Sequence, residues 1–177
     1  MSEKGGYDMT FLDMTRQRFS VRKFSPDPVE PERLDRILEA ARNAPTAHNN
    51  QPQRIFVMQS PEAIAIVDAC TRGRFGAPVV LILCYDAKES WKRKDGYDSG
   101  EVDLGIVGTH IMFEAVEQGL GTCWVAMFNP EEVRRRLELA DSIIPVAVMP
   151  VGHPAPDAEP YLFHDQRRLL ADTVIRK

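Results

Sequence analysis

Cysteine is scarce in this sequence of 177 residues, and its three cysteines have no spacing typical of a disulfide framework or a zinc site. Cys84 and Cys123 lie within apolar runs. We therefore expect Cys70, Cys84 and Cys123 to be buried free thiols in a reducing compartment. Long apolar runs are also missing: none approaches the roughly 20 residues that cross a membrane, and residues 1–6 lack the apolar core of a signal peptide. These absences predict a cytoplasmic protein without a membrane partner.

The motifs of several large enzyme classes are missing as well. Gly119-Leu120-Gly121 has Trp124 where a dinucleotide-binding fingerprint has its third glycine, and it follows a predicted helix instead of a strand. The sequence has no phosphate-binding loop with Gly-Lys-Ser/Thr, no GxSxG elbow and no HExxH motif, and its four histidines lack metal-ligand spacing. Serine hydrolase and zinc-enzyme functions therefore have little support, and we expect no metal.

The bulk composition is ordinary for a globular protein. Hydrophobic residues make up 44% of the chain and charged residues 27%, and this length suits one domain with a sizeable core. No internal repeat or linker divides the chain, so we expect a single domain over residues 1–177. The net charge of −4 argues against nucleic acid or an anionic membrane as the main partner.

Hydrophobic periodicity predicts helices interleaved with strands. The clearest helix begins at Pro31, because Leu34, Ile37, Leu38 and Ala41 recur at helical spacing. Asn129-Pro130 is a strong helix start as well. The order lacks a regular βαβ period and predicts an α+β domain with a central mixed β-sheet flanked by helices. We predict helices over 8–17, 31–43, 61–71, 102–118 and 130–139 and strands over 55–59, 78–85, 122–126 and 146–151.

The predicted helix 102–118 is apolar on most of its circumference. Such a helix is buried on several sides, either at the centre of a domain or across a subunit interface. Gly105 and Gly108 would permit another backbone to approach closely. The proline-rich last 25 residues are not expected to pack alone, and a second copy of the chain is one surface that they could cover.

A polar stretch, Ala44 to Pro52, separates the first long helix from the first strand. Proline stiffens it at both ends, and Thr46, Asn49 and Gln51 can both donate and accept hydrogen bonds. A rigid polar loop at such a junction suits the edge of a flat heterocycle. An ordinary polar connector is the alternative.

A second polar stretch, Arg18 to Lys23, is basic. If it is extended, Arg18, Ser20 and Arg22 share one side, where two guanidinium groups and a hydroxyl suit a phosphate monoester. A solvated basic strand is the alternative. The lysine-rich segment 86–101 is expected to be mobile, and it is either solvated or uses Trp91 and Tyr97 to cover a ligand.

Four blocks of the sequence together resemble the nitroreductase (flavin reductase-like) family. They occur in that family's order and, with the basic pair Arg167-Arg168, span residues 18–168. The blocks are Arg18-Phe19-Ser20-Val21-Arg22, Ala44-Pro45-Thr46-Ala47-His48-Asn49-Asn50-Gln51-Pro52, Gly119-Leu120-Gly121-Thr122-Cys123-Trp124 and Pro145-Val146-Ala147-Val148-Met149-Pro150-Val151-Gly152-His153-Pro154.

The resemblance implies an intertwined homodimer with exchanged C-terminal arms and FMN in two interface sites. Arg18 and Ser20 would bind the phosphate with Arg167, and Arg22 would approach the N1/O2 edge of the ring. Pro45, Thr46, Asn49 and Gln51 would come from the partner subunit and frame the ring. Backbone groups around Val125, Ala126 and Met127 would face N5. The cofactor residues that the resemblance implies are Arg18, Phe19, Ser20, Arg22, Pro45, Thr46, Asn49, Gln51, Val125, Ala126, Met127, Arg167 and Arg168.

The function that the resemblance implies is an FMN-dependent oxidoreductase. NAD(P)H would reduce FMN, which would then reduce a nitroaromatic, a quinone or a similar small molecule by a ping-pong mechanism, with no catalytic side chain because hydride passes through N5 of the flavin. Two alternatives stay open: another FMN reaction, such as flavin fragmentation, dehalogenation or dehydrogenation, and a flavin-binding module without turnover. Gln53 departs from the tryptophan that is common in the family at this position, which leaves the substrate class open.

Overall fold

Two long central strands organise the described residues, 9–177, of this computed structural model. Four strands form one sheet in the order β1-β2-β4-β3. No helix within this range is both long and apolar enough to cross a membrane. The elements are α1 (Phe11–Gln17), α2 (Pro31–Asn43), β1 (Gln53–Met58), α3 (Pro61–Cys70), β2 (Val79–Asp86), α4 (Gly100–Glu117), β3 (Gly121–Thr122), α5 (Pro130–Arg136), β4 (Ile143–Gly152) and α6 (Leu170–Thr173).

Strand β2 is buried on both faces and divides the core into two layers. Leu81 and Leu83 belong to a cluster that α2 and α4 cover, whereas Ile82 and Cys84 belong to a cluster that α3 and α5 cover. Side chains of a strand alternate between the faces of a sheet, so an uninterrupted apolar run requires helices on both sides. The predicted α+β fold with flanking helices follows from this arrangement.

The sheet differs from the predicted mixed sheet because its strand pairs are all antiparallel. Within residues 9–177, parallel pairing is limited to a bridge between Ser20 and Thr122. The extended segment around Ser20 forms no ladder because its N–H groups have separate acceptors: Val21 donates to Thr122 at 2.9 Å and Phe24 donates to Phe75 at 3.3 Å.

The helix starts confirm the local signals in the sequence. Helix α2 begins at Pro31 and ends at Asn43, as predicted, and Pro31 occupies a first-turn position. The Asn129 side chain accepts a hydrogen bond from the Glu132 N–H at 3.1 Å at the start of α5. The predicted helix 8–17 is observed as Phe11–Gln17, and residue 8 lies outside the described range.

Strand β3 is shorter than the predicted strand 122–126, because the chain leaves the sheet after Thr122. The Trp124 ring packs against Gly108 of α4, where an added Cβ would lie 2.4 Å from the ring. Gly108 therefore accommodates side chains, and the predicted approach of another backbone is wrong there. Gly105 has open space next to it within this chain, so the approach of another backbone at Gly105 stays a prediction. Val125 returns to the sheet by pairing with Val148.

The last residues extend from the body of the chain after they contact the basic segment. The Tyr161 ring lies 5.5 Å from the Arg22 guanidinium, and the His164 ring lies 6.3 Å from Phe19. Beyond these contacts the chain is exposed, including Leu170 in α6 and Ile175. The exchange of this arm between subunits stays a prediction.

Gln53, at the start of β1, is a polar residue whose replacement by an apolar one should change the stability of the protein. Its side-chain oxygen is buried and has no hydrogen-bond donor among the described residues. We predict that Gln53→Leu raises the free energy of unfolding by about 1 kcal/mol in urea denaturation, because a buried acceptor without a donor is costly. The matched control is Gln118→Leu, which removes a 2.7 Å hydrogen bond to Glu114 and should lower stability. A destabilised Gln53→Leu protein would contradict the prediction.

Candidate functional site

The polar loop 44–52 has an unusually constrained backbone. His48, Asn49 and Gln51 have φ values of 53°, 54° and 52°, in the left-handed region that residues other than glycine seldom adopt. The Thr46 hydroxyl oxygen accepts from the Gln51 N–H at 3.0 Å, so these residues are held in place. The loop is therefore preorganised, as a binding loop must be, at a cost that its surroundings offset.

Asp103, near the start of α4, is the main support of this loop. Its carboxylate is 3% exposed and accepts from the Ala47 N–H at 2.9 Å and from the Ser99 hydroxyl at 2.8 Å. Asp103 is not among the site residues predicted from the sequence. An acidic residue next to Leu104, in a helix that is apolar on most of its circumference, was the available signal, since such a residue is buried only when it has donors.

The segment 86–101 packs on the same loop. The Trp91 ring stacks on His48 with centroids 5.6 Å apart, and the Asn50 amide donates to the Glu89 carbonyl at 2.9 Å. The segment is also closed on itself, because Lys92 and Asp98 form an ion pair at 2.7 Å. These contacts differ from the expected mobile excursion, and they make the segment a support of the loop.

A cavity of about 720 Å³ lies at the opposite side of the fold, where the turn after α3 meets the residues that follow β3. Its wall is fixed by Thr71, whose hydroxyl donates to the Met127 carbonyl at 2.7 Å and accepts from the Gly73 N–H at 2.9 Å. A Cβ on Gly73 would lie 2.5 Å from Val125, so glycine is required for this close packing. The predicted residues Arg22, Val125, Ala126 and Met127 all line the cavity.

Two backbone donors in this wall are available to a ligand. The Val125 N–H donates to the Val148 carbonyl at 2.9 Å, but within residues 9–177 the N–H groups of Ala126 and Met127 have no acceptor. Both residues are exposed. An N–H at this position can donate to a ring nitrogen or carbonyl of a flat ligand without supplying a titrating group.

Arg18, Ser20 and Arg22 lie together near Cys123, another residue of the cavity wall. Burial raises the pKa of the Cys123 thiol, whereas the charge of Arg22, a hydrogen bond with Ser20 and the charge of Arg18 oppose that increase. The residue between Ser20 and Arg22, Val21, is 2% exposed in the core. This arrangement agrees with the predicted alternation, in which Arg18, Ser20 and Arg22 share one side.

The guanidinium groups of Arg18 and Arg22 are not neutralised by the part of the chain that the structure describes. Neither has a carboxylate within ion-pair distance there, and Arg22 contacts only the Ser20 carbonyl, at 3.4 Å, and the Tyr161 ring. In a protein with a net charge of −4, free arginines beside a serine hydroxyl fit a phosphate group.

The other predicted cofactor residues near the basic segment are Arg167, Arg168 and Phe19, and they lie in different environments. The Arg167 guanidinium donates to the His164 carbonyl, and His164 contacts the Arg16 carbonyl at 3.1 Å, which brings Arg167 near the basic segment. Arg168 is exposed and makes no such contact within the described range. The Phe19 ring packs on the cluster of Val21, Phe24 and Ala77, so a ligand would meet its backbone.

One chain holds the two predicted halves of the site apart. Ala47 contacts Asp103 near the start of α4, whereas Arg18 and Val21 lie beside Val116 near its end. Thirteen helical residues separate these points by about 20 Å. Pro45, Thr46, Asn49 and Gln51 accordingly do not line the cavity around Arg22.

The cavity brings the Arg22 side chain together with the backbone N–H groups of Ala126 and Met127. The family model described as "Nitroreductase family" matches residues 15–72 and 68–153. The chain belongs to the nitroreductase family, and the predicted family, fold and oxidoreductase class are confirmed.

Similar proteins include a solved structure and two enzymes. A nitroreductase family protein from Clostridium difficile 630 has a TM-score of 0.88 and 33% identity, covering 94% of this chain and 98% of its own. The FMN reductase [NAD(P)H] of Bacillus subtilis is 30% identical in an alignment of 155 positions that covers 77% of this chain and 62% of the relative. The NADH dehydrogenase of Thermus thermophilus is 29% identical in an alignment of 182 positions, gaps included, that covers 81% of this chain and 86% of the relative.

Proposed function

We propose that this protein is an FMN-dependent oxidoreductase in which NAD(P)H and a small acceptor, such as a nitroaromatic or a quinone, alternate at one cavity. The observation that carries the proposal is the pair of unneutralised arginines, Arg18 and Arg22, next to a cavity wall with free backbone donors. The similar Bacillus subtilis enzyme is named for FMN and NAD(P)H, which supports the choice of cofactor and reductant. Hydride chemistry is supplied by the flavin when it is bound.

Arg18 and Ser20 bind the phosphate of FMN in this proposal, with Arg167 of the adjacent tail. Two forked donors and a hydroxyl on one side match the geometry of a phosphate monoester. Arg22 stabilises the negative charge that develops at the N1/O2 edge of the ring on reduction. The Ala126 N–H donates to the N5 side and fixes the ring relative to the incoming substrate.

The second half of the site comes from another copy of the chain. The loop with Thr46 and Asn49 lies about 20 Å from Arg18 along α4, and none of its residues lines the cavity beside Arg22, so a homodimer would bring the loop of one copy to the cavity of the other. Large apolar side chains that a lone chain would leave in water support this dimer. They are Phe11, Leu12, Leu162, Phe163, Leu169, Leu170 and Ile175.

Absorption spectroscopy of the purified protein tests the proposal. We expect a bound flavin spectrum, or its appearance on adding FMN, followed by bleaching with NADH or NADPH and recovery with a nitroaromatic or a quinone. A folded protein that takes up no FMN would refute the proposal. Bound FMN that neither nucleotide reduces in stopped-flow mixing would favour another FMN reaction, and failure with every acceptor would favour a binding module.

Replacing Arg22 should change the redox potential of the flavin. We predict that Arg22→Ala lowers it by about 20 to 40 mV, because losing an electrostatic contact of about 1 to 2 kcal/mol with the reduced ring corresponds to this range for a two-electron couple. Spectroelectrochemical titration measures the shift. The matched control is Arg16→Ala, since Arg16 is exposed and paired with Asp13 at 3.3 Å. An unchanged potential in Arg22→Ala would remove the role assigned to Arg22.

A further inference from the structure

Arg72 is a cationic residue of the cavity wall that none of the proposed FMN contacts uses. It lies in the turn after α3 and lines the same cavity as Arg22. Its side chain is exposed, and within residues 9–177 its guanidinium has neither an ion-pair partner nor a hydrogen-bond acceptor. By contrast, Arg74, two residues later, donates to Asp68 at 2.6 and 3.0 Å.

The charge balance of the cavity is therefore positive. The acidic residue in its lining is Asp68, and Arg74 already neutralises it. Among the described residues of the cavity, Arg22 and Arg72 remain as two cations without an ion-pair partner, in a chain whose acidic residues outnumber its lysines and arginines by 26 to 22. A concave wall with unneutralised charge of one sign attracts ligands of the other sign.

The backbone on both sides of Arg72 is fixed. Thr71 is 8% exposed and bonds to the Met127 carbonyl, while Gly73 packs against Val125. The guanidinium of Arg72 is thus attached at a defined point beside the wall of Ala126 and Met127. A charged group on a rigid turn can select ligands, because little ordering of the backbone is needed when they bind.

We propose that Arg72 binds an anionic group of the molecule that exchanges electrons with the flavin in this cavity. The group is a peripheral phosphate or carboxylate, with two sources: the 2′-phosphate of NADPH or an acid group on the acceptor. Arg72 is then a specificity-determining residue that favours anionic substrates over neutral analogues. This inference rests on the proposed function for the identity of the cavity, and it adds the charge class of the substrate.

Two ligand pairs that differ by one anionic group test the inference by binding alone. One pair is NADP⁺ and NAD⁺, and the other is 4-nitrobenzoate and the neutral 4-nitrobenzamide. Calorimetric titration of FMN-loaded protein gives the affinity ratio within each pair. We expect the wild-type protein to prefer the anionic member of at least one pair, and Arg72→Ala to reduce that preference roughly tenfold. Arg72→Lys should retain part of the preference because it keeps the charge.

The pair that responds identifies the source of the anion. A loss confined to NADP⁺ assigns the 2′-phosphate, and a loss confined to 4-nitrobenzoate assigns the acceptor. The matched control is Arg135→Ala, which removes the same charge from an exposed arginine that pairs with Glu132 and does not line the cavity. Equal affinities within both pairs for the wild-type protein, or an unchanged ratio in Arg72→Ala, would overturn the inference.

Flavin content separates this inference from the proposed function. Arg72→Ala should bind FMN as the wild-type protein does, and loss of FMN would overturn the inference by placing Arg72 in the cofactor site. If the wild-type protein itself binds no FMN, the proposed function fails and this inference fails with it. Normal FMN binding together with an unchanged affinity ratio in Arg72→Ala overturns the inference alone.

Discussion

Heterodimers of an Arg18→Ala subunit and a Thr46→Ala/Asn49→Ala subunit are expected to bind FMN that neither homodimer retains. Arg18→Ala should weaken FMN binding about 30- to 100-fold, since a charge-assisted phosphate contact contributes about 2 to 3 kcal/mol. The loop variant should weaken it about 10- to 30-fold, because it removes hydrogen bonds to the ring and, in Thr46, the hydroxyl that accepts from the Gln51 N–H and holds the loop. Within the described residues the Asn49 amide has no partner, so its removal leaves the free chain intact.

The recovery follows from the placement of the two halves at opposite ends of α4. If each site combines the arginines of one subunit with the loop of the other, a heterodimer has one site with both native halves and one with neither. Coexpression with two different affinity tags and sequential purification isolates this species. Flavin absorbance should then show about one FMN per two subunits, as the arithmetic of two shared sites requires.

Two differently tagged copies of the Arg18→Ala chain are the control, because their dimer has no intact site under any arrangement. If all contacts to one FMN came from a single chain, the mixed heterodimer would also lack an intact site and stay colourless. Such a result would remove the shared site and, with it, the reason for the homodimer in the proposed mechanism.

Elements with local signals were predictable from the sequence. The bounds of α2 are those predicted, because Pro31 sets its first turn and Leu34, Ile37 and Ala41 form one buried stripe. Alternation in an extended segment also placed Arg18, Ser20 and Arg22 on one side. These features depend on residues a few positions apart, and the rest of the fold does not change them.

Features that depend on distant residues were not predictable. Strand β3 is short because Trp124 packs on Gly108 of α4, and nothing near Trp124 in the sequence indicates that contact. The position of Arg72 in the cavity wall was not predictable, because only the fold places the turn after α3 beside Ala126 and Met127. Asp103 and Ala47 are 56 positions apart, so periodicity cannot relate them.

Replacing the buried carboxylate of Asp103 is expected to have the largest effect on stability. Asp103→Ala removes the acceptor of the Ala47 N–H and of the Ser99 hydroxyl, which leaves the Ser99 donor unpaired in a buried region and the Ala47 donor unpaired in a half-buried one. We predict a loss of about 3 kcal/mol in the free energy of unfolding, because each unpaired donor costs about 1 to 3 kcal/mol. Urea denaturation followed by circular dichroism measures this loss.

Two further variants separate the support of the loop from general helix electrostatics. Glu101 lies in the same first turn of α4, is exposed and has no ion-pair partner in the described chain, so Glu101→Ala should cost only about 0.5 kcal/mol. Asp103→Asn keeps one acceptor and should lie between them in stability. At a temperature where all three variants are folded, we expect weaker FMN binding for both Asp103 variants and unchanged binding for Glu101→Ala. If FMN affinity in Asp103→Asn equals that of the wild-type protein, Asp103 stabilises the fold without positioning Thr46 and Asn49. The conformation of the strained loop is then fixed by its contact with Trp91 and by its own hydrogen bonds.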